Sequence, residues 1–325
     1  MLSLVKRIKE KISDKIFLKI KAKNKNETTY LYNYKNSKKK NILLYFPISE
    51  YMHLGDHLFF EPLARNLKKR GYNVAIFPTK RMEFYFKELG YLIHKENDLS
   101  KFDLIISRTE FFRVLQKEKN VILYEYINTS LKEEICTDII KKIFLILGEQ
   151  LNDIDCEPSN LNVKESNLKL SEKKRYILFN NYLDSGRWLN GKKYNNSIEE
   201  KAIELKNKGY SLIHLGTKKD YTNDKKKYPY IELDLRGKTS IKDLFYLASV
   251  ENVVGNIGYD AFLMHLFFLN RKKNYICLRN KITKKRKGIT IKYLNPPFKM
   301  KEEKNIEYIN KNFKKKYKRV SRSFF

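Results

Sequence analysis

Residues 41–77 read NILLYFPISEYMHLGDHLFFEPLARNLKKRGYNVAIF. Two runs within them, ILLYF (42–46) and NVAIF (73–77), are short, apolar and rich in β-branched or aromatic residues, which predicts buried strands. EPLARNLKKRG, between them, has helical spacing and a stop at Gly71. Strand, helix and strand in that order predict a parallel crossover, and the loop leaving the first strand is where chemistry collects on such a sheet. Here that loop carries HLGDH, with Asp56 between His53 and His57. Asp56 either caps the helix beside two solvated histidines or is a catalytic base.

The same alternation extends outward. DLIIS (103–107), VILYEY (121–126) and IFLIL (143–147) also read as buried strands, and RMEFYFKELG, ending at Gly90, and SLKEEICTDIIKK as helices. Residues 149–172 lose the apolar rhythm and read as a linker. A second series follows: RYILFN (175–180), YSLIHLG (210–216), YIELDL (230–235), NVVG (252–255) and NYICL (274–278) as strands, with helices at 197–208, 240–249 and 259–269. The expected class is α/β, two Rossmann-like domains with parallel sheets facing a central cleft. The expected boundaries are 1–40, a basic amphipathic segment; 41–150, the first domain; 151–174, a linker; 175–295, the second domain; and 296–325, a basic tail.

The 325 residues are 42% hydrophobic and 14% aromatic, enough for two folded cores. The apolar runs are too short to span a bilayer, no signal-peptide pattern is present, and the three cysteines form no C-x-x-C pair. These features predict an intracellular chain without a zinc site. The net charge of +31 is unevenly placed. Residues 1–40 hold 13 Lys/Arg against 3 Asp/Glu, and residues 271–325 hold 20 against 3, leaving +4 on the 230 residues between. Charge gathered at both ends predicts an anionic partner. Leu2, Val5, Ile8, Ile12, Ile16 and Ile20 share one side of a helical wheel among lysines, the pattern of a helix lying on an anionic membrane surface or docked on the protein's own body. KKKYKRVSRSFF (314–325) mixes basic and aromatic residues in the same way. No motif of a nucleic-acid-binding module and no glycine-rich phosphate loop occurs, so no nucleic acid is expected. The D-x-D triplet at Asp153–Asp155 sits in the linker, away from any strand end, and is not expected to hold metal.

Three islands, in order, resemble the heptosyltransferases of lipopolysaccharide synthesis, glycosyltransferases of family 9 with the GT-B fold. LGDHLFFEPLARNLKKRG keeps the family's spacing of Gly55, Asp56 and Pro62. SLIHLGTKKD (211–220) is similar to its strand followed by L-G-G-x-x-E, with Asp220 in the acidic place. DLRGKTSIKDLFYLASVENVVGNIGYDAFLMHLFF (234–268) is similar to its L-x-G-x-T-S-L-x-E-L stretch and the V-V-G-N-D-[ST]-G-x-x-H element after it. Departures lie in that third island: Ile257-Gly258-Tyr259 separates Gly255-Asn256 from Asp260, and Phe262 stands at the glycine position.

The resemblance implies transfer of a sugar from a nucleotide-diphosphate donor to a bacterial surface-glycan acceptor, a glycolipid or polysaccharide, at the cytoplasmic face of the inner membrane. It implies an inverting reaction with no metal or other cofactor. Asp56 takes the place of the base. Arg187, in DSGRW, takes the place of the basic residue facing the diphosphate. Gly255, Asn256, Gly258, Asp260 and His265 fall at the expected phosphate-binding helix start, and Thr217 and Asp220 within reach of the ribose or base. His53, His57 and Arg108 would line the acceptor side. Each has a plainer reading: Asp56 as a helix cap, His265 as a packed core histidine, Arg187 as a surface ion-pair partner. A nucleotide-sugar epimerase of the same fold and a basic nucleic-acid binder are the alternatives.

Overall fold

The computed structural model describes residues 29–35, 39–47, 53–96, 98–124, 135–182, 194–259, 261–277 and 305–309. It divides into two compact units, residues 1–159 with 290–300 and residues 160–289 with 301–325. Among the described residues the first unit has six strands: β1 (Thr29–Tyr32), β2 (Asn41–Tyr45), β3 (Asn73–Phe77), β4 (Leu92–Ile93), β5 (Leu104–Arg108) and β6 (Val121–Tyr124). They lie in the order β1-β6-β5-β2-β3-β4, parallel except where β1 runs antiparallel to β6. Ile42, Leu43, Leu44, Leu104 and Ile106 are fully or almost fully buried, because helices cover both faces of a parallel sheet and its strands can be apolar throughout.

The helices of this unit are α1 (Leu54–Lys69), α2 (Glu83–Glu88), α3 (Phe112–Leu115) and α4 (Ile135–Leu147). Helix α1 begins seven residues before the EPLARNLKKRG stretch, so Asp56 lies in its first turn. It stops at Gly71, whose φ of +85° suits glycine and whose N–H bonds the Lys68 carbonyl at 3.0 Å.

IFLIL (143–147), expected as a strand, is the last turn and a half of α4. Ile139, Ile140, Ile143 and Phe144 are buried while Leu145 is 64% exposed, a three-to-four-residue period. The sheet position beside β6 is taken instead by β1, from the segment read only as basic and amphipathic. The rest of that expected helix, residues 1–28, lies outside the described residues, as does nearly all of the basic tail.

The second unit holds β7 (Tyr176–Phe179), β8 (Ser211–His214), β9 (Ile231–Asp234), β10 (Val253–Tyr259), β11 (Lys273–Cys277) and β12 (Ile306–Tyr308). All are parallel, in the order β12-β11-β10-β7-β8-β9. Its helices are α5 (Asn196–Asn207), α6 (Lys218–Asn223), α7 (Ile241–Ser249) and α8 (Phe262–Leu269). Phe179, Ile198, Leu205, Leu212 and Ile257 form the core between sheet and α5. Helix α8 starts three residues later than expected, because β10 continues to Tyr259 in register with Cys277 of β11. In each unit the chain reverses its direction of winding once, between β2 and β5 and between β7 and β10. Ligands of open α/β sheets bind outside the carboxyl ends of the strands at such a point.

Candidate active site

At the carboxyl edge of the first sheet, Ser107 donates its hydroxyl to the Tyr45 carbonyl at 2.6 Å and ties β5 to β2 at the reversal point. The next residue, Arg108, ends β5 and is 7% exposed. Its Nη1 donates to Asp56 Oδ2 at 3.0 Å. The same oxygen accepts the His53 backbone N–H at 2.9 Å, and the Asp56 N–H bonds the His53 carbonyl at 3.1 Å. Asp56 therefore closes the start of α1 by reaching back to the cap residue, where the helix dipole also favours an anion. Capping and a place at the sheet's ligand-binding edge are compatible: one oxygen of the carboxyl group does the capping. Arg108 also holds Glu110, through Nε to Oε2 at 3.2 Å and through Nη2 to Oε1.

His57 does not line a cleft. It is fully buried, its Nε2 accepts the Thr79 backbone N–H at 3.2 Å, and its Nδ1 meets the His53 carbonyl at 3.1 Å. An amide N–H can only donate, so the ring proton sits on Nδ1 and is given to His53. Burial lowers its pKa to about 4, against the smaller opposing pull of the His53 carbonyl and Asp56. The expected acceptor contact gives way to a neutral bracket between α1 and the end of β3. His53 itself is exposed at the helix cap.

The second sheet's reversal point brings together the ends of β7 and β10. The Asn180 N–H bonds the Ile257 carbonyl at 3.0 Å and its side chain donates to the Leu215 carbonyl at 2.8 Å. A Cβ on Gly258 would stand 3.1 Å from the Asn180 carbonyl oxygen, so glycine admits the close approach. Asn181, not singled out in the sequence, is 0% exposed. Its Oδ1 accepts the Asn195 N–H at 2.9 Å, while its Nδ2 has no hydrogen-bond partner among the described residues. The signal for it was a pair of asparagines where a strand leaves the sheet.

Gly255 and Asn256 are not at a helix start. They pair with Ile177 and Leu178 of β7 and with Lys273 and Asn274 of β11, inside the sheet. Asn256 is 2% exposed and its amide reaches Asn274 Oδ1 at 3.4 Å. They precede the strand's last residue by four and three positions, or about 10–13 Å at ~3.3 Å per residue, so the continuation of β10 removes them from the edge. His265 is 8% exposed in the first turn of α8. Thr217 and Asp220, at the carboxyl end of β8, cap α6 reciprocally: the Asp220 N–H donates to Thr217 Oγ1 at 3.2 Å and Asp220 Oδ2 accepts the Thr217 N–H. Arg187 and Asp260 lie outside the described residues. His214 is 1% exposed and packs its ring 5.0 Å from Phe179. Burial, and next the Arg236 cation, lower its pKa to about 3. Among the described residues, no group of three or more His, Cys, Asp or Glu is placed to hold a metal ion, and no helix is long and apolar enough to cross a membrane.

Two Rossmann-like units with these strand orders define the GT-B fold of glycosyltransferases. The solved structures similar to this chain have the same fold. A glycosyl transferase of family 9 from Veillonella parvula matches with a TM-score of 0.58 at 12% identity, over 90% of this chain and 93% of that one. The E. coli ADP-heptose LPS heptosyltransferase II matches with a TM-score of 0.55 at 13% identity, over 83% and 90%. TibC, described as an iron-containing dodecameric glycosyltransferase of enterotoxigenic E. coli, matches with 0.50 at 14% identity, over 74% of this chain and 58% of its own. No protein-family model matches the sequence, and neither does any curated protein.

Proposed function

We propose that this chain is a metal-independent, inverting glycosyltransferase that moves a sugar from a nucleotide-diphosphate donor to a hydroxyl of a bacterial surface glycan. The observation that carries the reading is the Asp56 carboxylate. It is 8% exposed, held by Arg108 and the His53 N–H, and placed at the reversal point of a sheet in a fold shared with glycosyltransferases. Asp56 takes the acceptor hydroxyl's proton as the oxygen attacks the anomeric carbon. The bond from that carbon to the diphosphate oxygen breaks, and the nucleoside diphosphate leaves with the electron pair. A positioned general base of this kind contributes ~10²–10⁴-fold.

In the second unit the reversal point supplies the donor site. The amide of Asn181 donates to the diphosphate, Gly258 lets the backbone approach closely, the family resemblance assigns counter-charge to Arg187 and donor binding to Asp260 and His265, and Thr217 and Asp220 serve the ribose or base. Arg108 and His53 border the acceptor. The two basic ends of the chain hold it against an anionic membrane on the cytoplasmic side, where a lipid-linked acceptor would lie.

The test is nucleoside diphosphate release from ADP-, GDP-, UDP- and CDP-sugars, with EDTA present and a membrane glycolipid extract as acceptor. The ADP-heptose named for one structural neighbour makes ADP-sugars the first arm. Acceptor-dependent release from one donor, unaffected by EDTA and lost in Asp56→Asn, is the expected result. Release without acceptor would replace the transferase reading with epimerisation or hydrolysis, and loss of release with EDTA would refute metal independence.

A further inference from the structure

We propose that Glu110 is a positioning residue that acts on the base Asp56 through Arg108. The inference rests on the transferase reading above. A guanidinium group is planar with its donors in a fixed fork, so binding two of them sets the direction of the others. Glu110, in the 3₁₀ turn Thr109–Phe111 that follows β5, takes Nε at 3.2 Å and, through its other oxygen, Nη2. Nη1 is thereby turned to Asp56 Oδ2 at 3.0 Å. The site is partly desolvated: the side chains of Arg108, Asp56 and Glu110 are 8%, 11% and 31% exposed, so rearrangement is not masked by solvent.

An arginine facing a single carboxylate prefers two parallel hydrogen bonds to it. With Glu110 absent, Arg108 can turn its fork onto Asp56 and engage both carboxylate oxygens, leaving the base less open to an acceptor proton. Glu110 holds the fork by its other edge and keeps Nη1 on one oxygen of Asp56. The neighbours on α1 do not replace it. His57 is neutral, and His53 contributes a backbone N–H to the oxygen that Arg108 already holds.

The experiment is steady-state kinetics on the full chain, with the donor that the diphosphate-release panel identifies and the glycolipid extract as acceptor. Glu110→Gln keeps the size and removes the charge, while Glu110→Asp keeps the charge. The expected result is a kcat lower by ~10–100-fold in Glu110→Gln, with the donor KM within twofold and the thermal midpoint unchanged, and recovery of most of kcat in Glu110→Asp. Wild-type kcat in Glu110→Gln, or equal losses in the Gln and Asp variants, would overturn this inference alone, because wild type would still transfer sugar through Asp56. Wild-type protein with no Asp56-dependent transfer would overturn both this inference and the function on which it rests.

Discussion

Two buried side chains, Asp56 and Arg108, carry opposite charges across the reversal point of the first sheet. Removing one partner of a buried pair leaves the other desolvated without compensation, at about 3–5 kcal/mol. Arg108→Met is therefore expected to lower unfolding free energy in urea by up to about that amount, less what the His53 N–H still gives Asp56, whereas the double variant Arg108→Met/Asp56→Leu recovers part of it, less the lost helix cap. A double variant as unstable as the single would show that the loss came from elsewhere. Asn181 offers a sharper test of the donor site. Asn181→Asp keeps the oxygen that accepts the Asn195 N–H and replaces the unpartnered amide with an anion. At this fully buried position the anion also lowers stability, so the readout is the donor KM of the folded fraction, which should rise at least tenfold by repelling the diphosphate; an unchanged KM would remove Asn181 from the site. Asp56 and Arg108 were legible in the sequence because each follows or ends an apolar strand. Glu110 was not, since its contact arises from the tight turn after β5, and Asn181 was not, since an asparagine after a strand is usually only a turn residue.

Helix α1 owes the placement of its first turn to His57, and that has a consequence for acid. The unfolded chain binds a proton at this histidine near pH 6.5, while the folded chain does not until about pH 4. Its stabilising contribution is complete above pH 6.5 and falls as pH drops toward 4, by roughly 3 kcal/mol. His214 acts in the same direction down to about pH 3. Urea midpoints should fall between pH 7 and pH 4, and less steeply in His57→Gln; parallel slopes in the two proteins would contradict the assignment. Gly258→Ala tests the crossing of β7 and β10. The added Cβ stands 3.1 Å from a backbone oxygen, and overpacking of this kind costs about 1–3 kcal/mol. A thermal midpoint unchanged in the variant would mean that the Asn180 backbone yields without cost. At this scale, strands beginning the two series were readable because both faces are covered and their apolar runs are continuous. IFLIL was misread because five consecutive apolar residues fit a buried strand and the inner turn of a helix equally well; only the exposed Leu145 separates the two. The start of α8 was misplaced because glycine and asparagine in VVGNIG read as a turn, while pairing with β7 and β11 keeps them in the sheet.

For the whole molecule, the division into two α/β units followed from the interrupted alternation of apolar runs. The strand order did not follow, because which strands become neighbours is set by crossover handedness and packing rather than by any one segment. The charge of +31 belongs at this scale as well. Vesicles with anionic headgroups should bind the chain, uncharged vesicles should not, and raising the salt from 0.05 to 0.5 M should release it as screening shortens to a few ångströms. Equal binding to both vesicle types would leave the basic ends without their proposed partner. Finally, β1 pairs Thr29 with Tyr124, so the first strand of its sheet meets its partner across 95 intervening steps of the chain. At ribosomal rates of ~5–20 residues per second, that wait lasts roughly 5–20 s, during which TYLY has made no ladder bond to β6. The segment is thus the last to be sealed although it is the earliest of the sheet to be made, and nascent chains halted short of residue 121 should hold it open to chaperones and proteases.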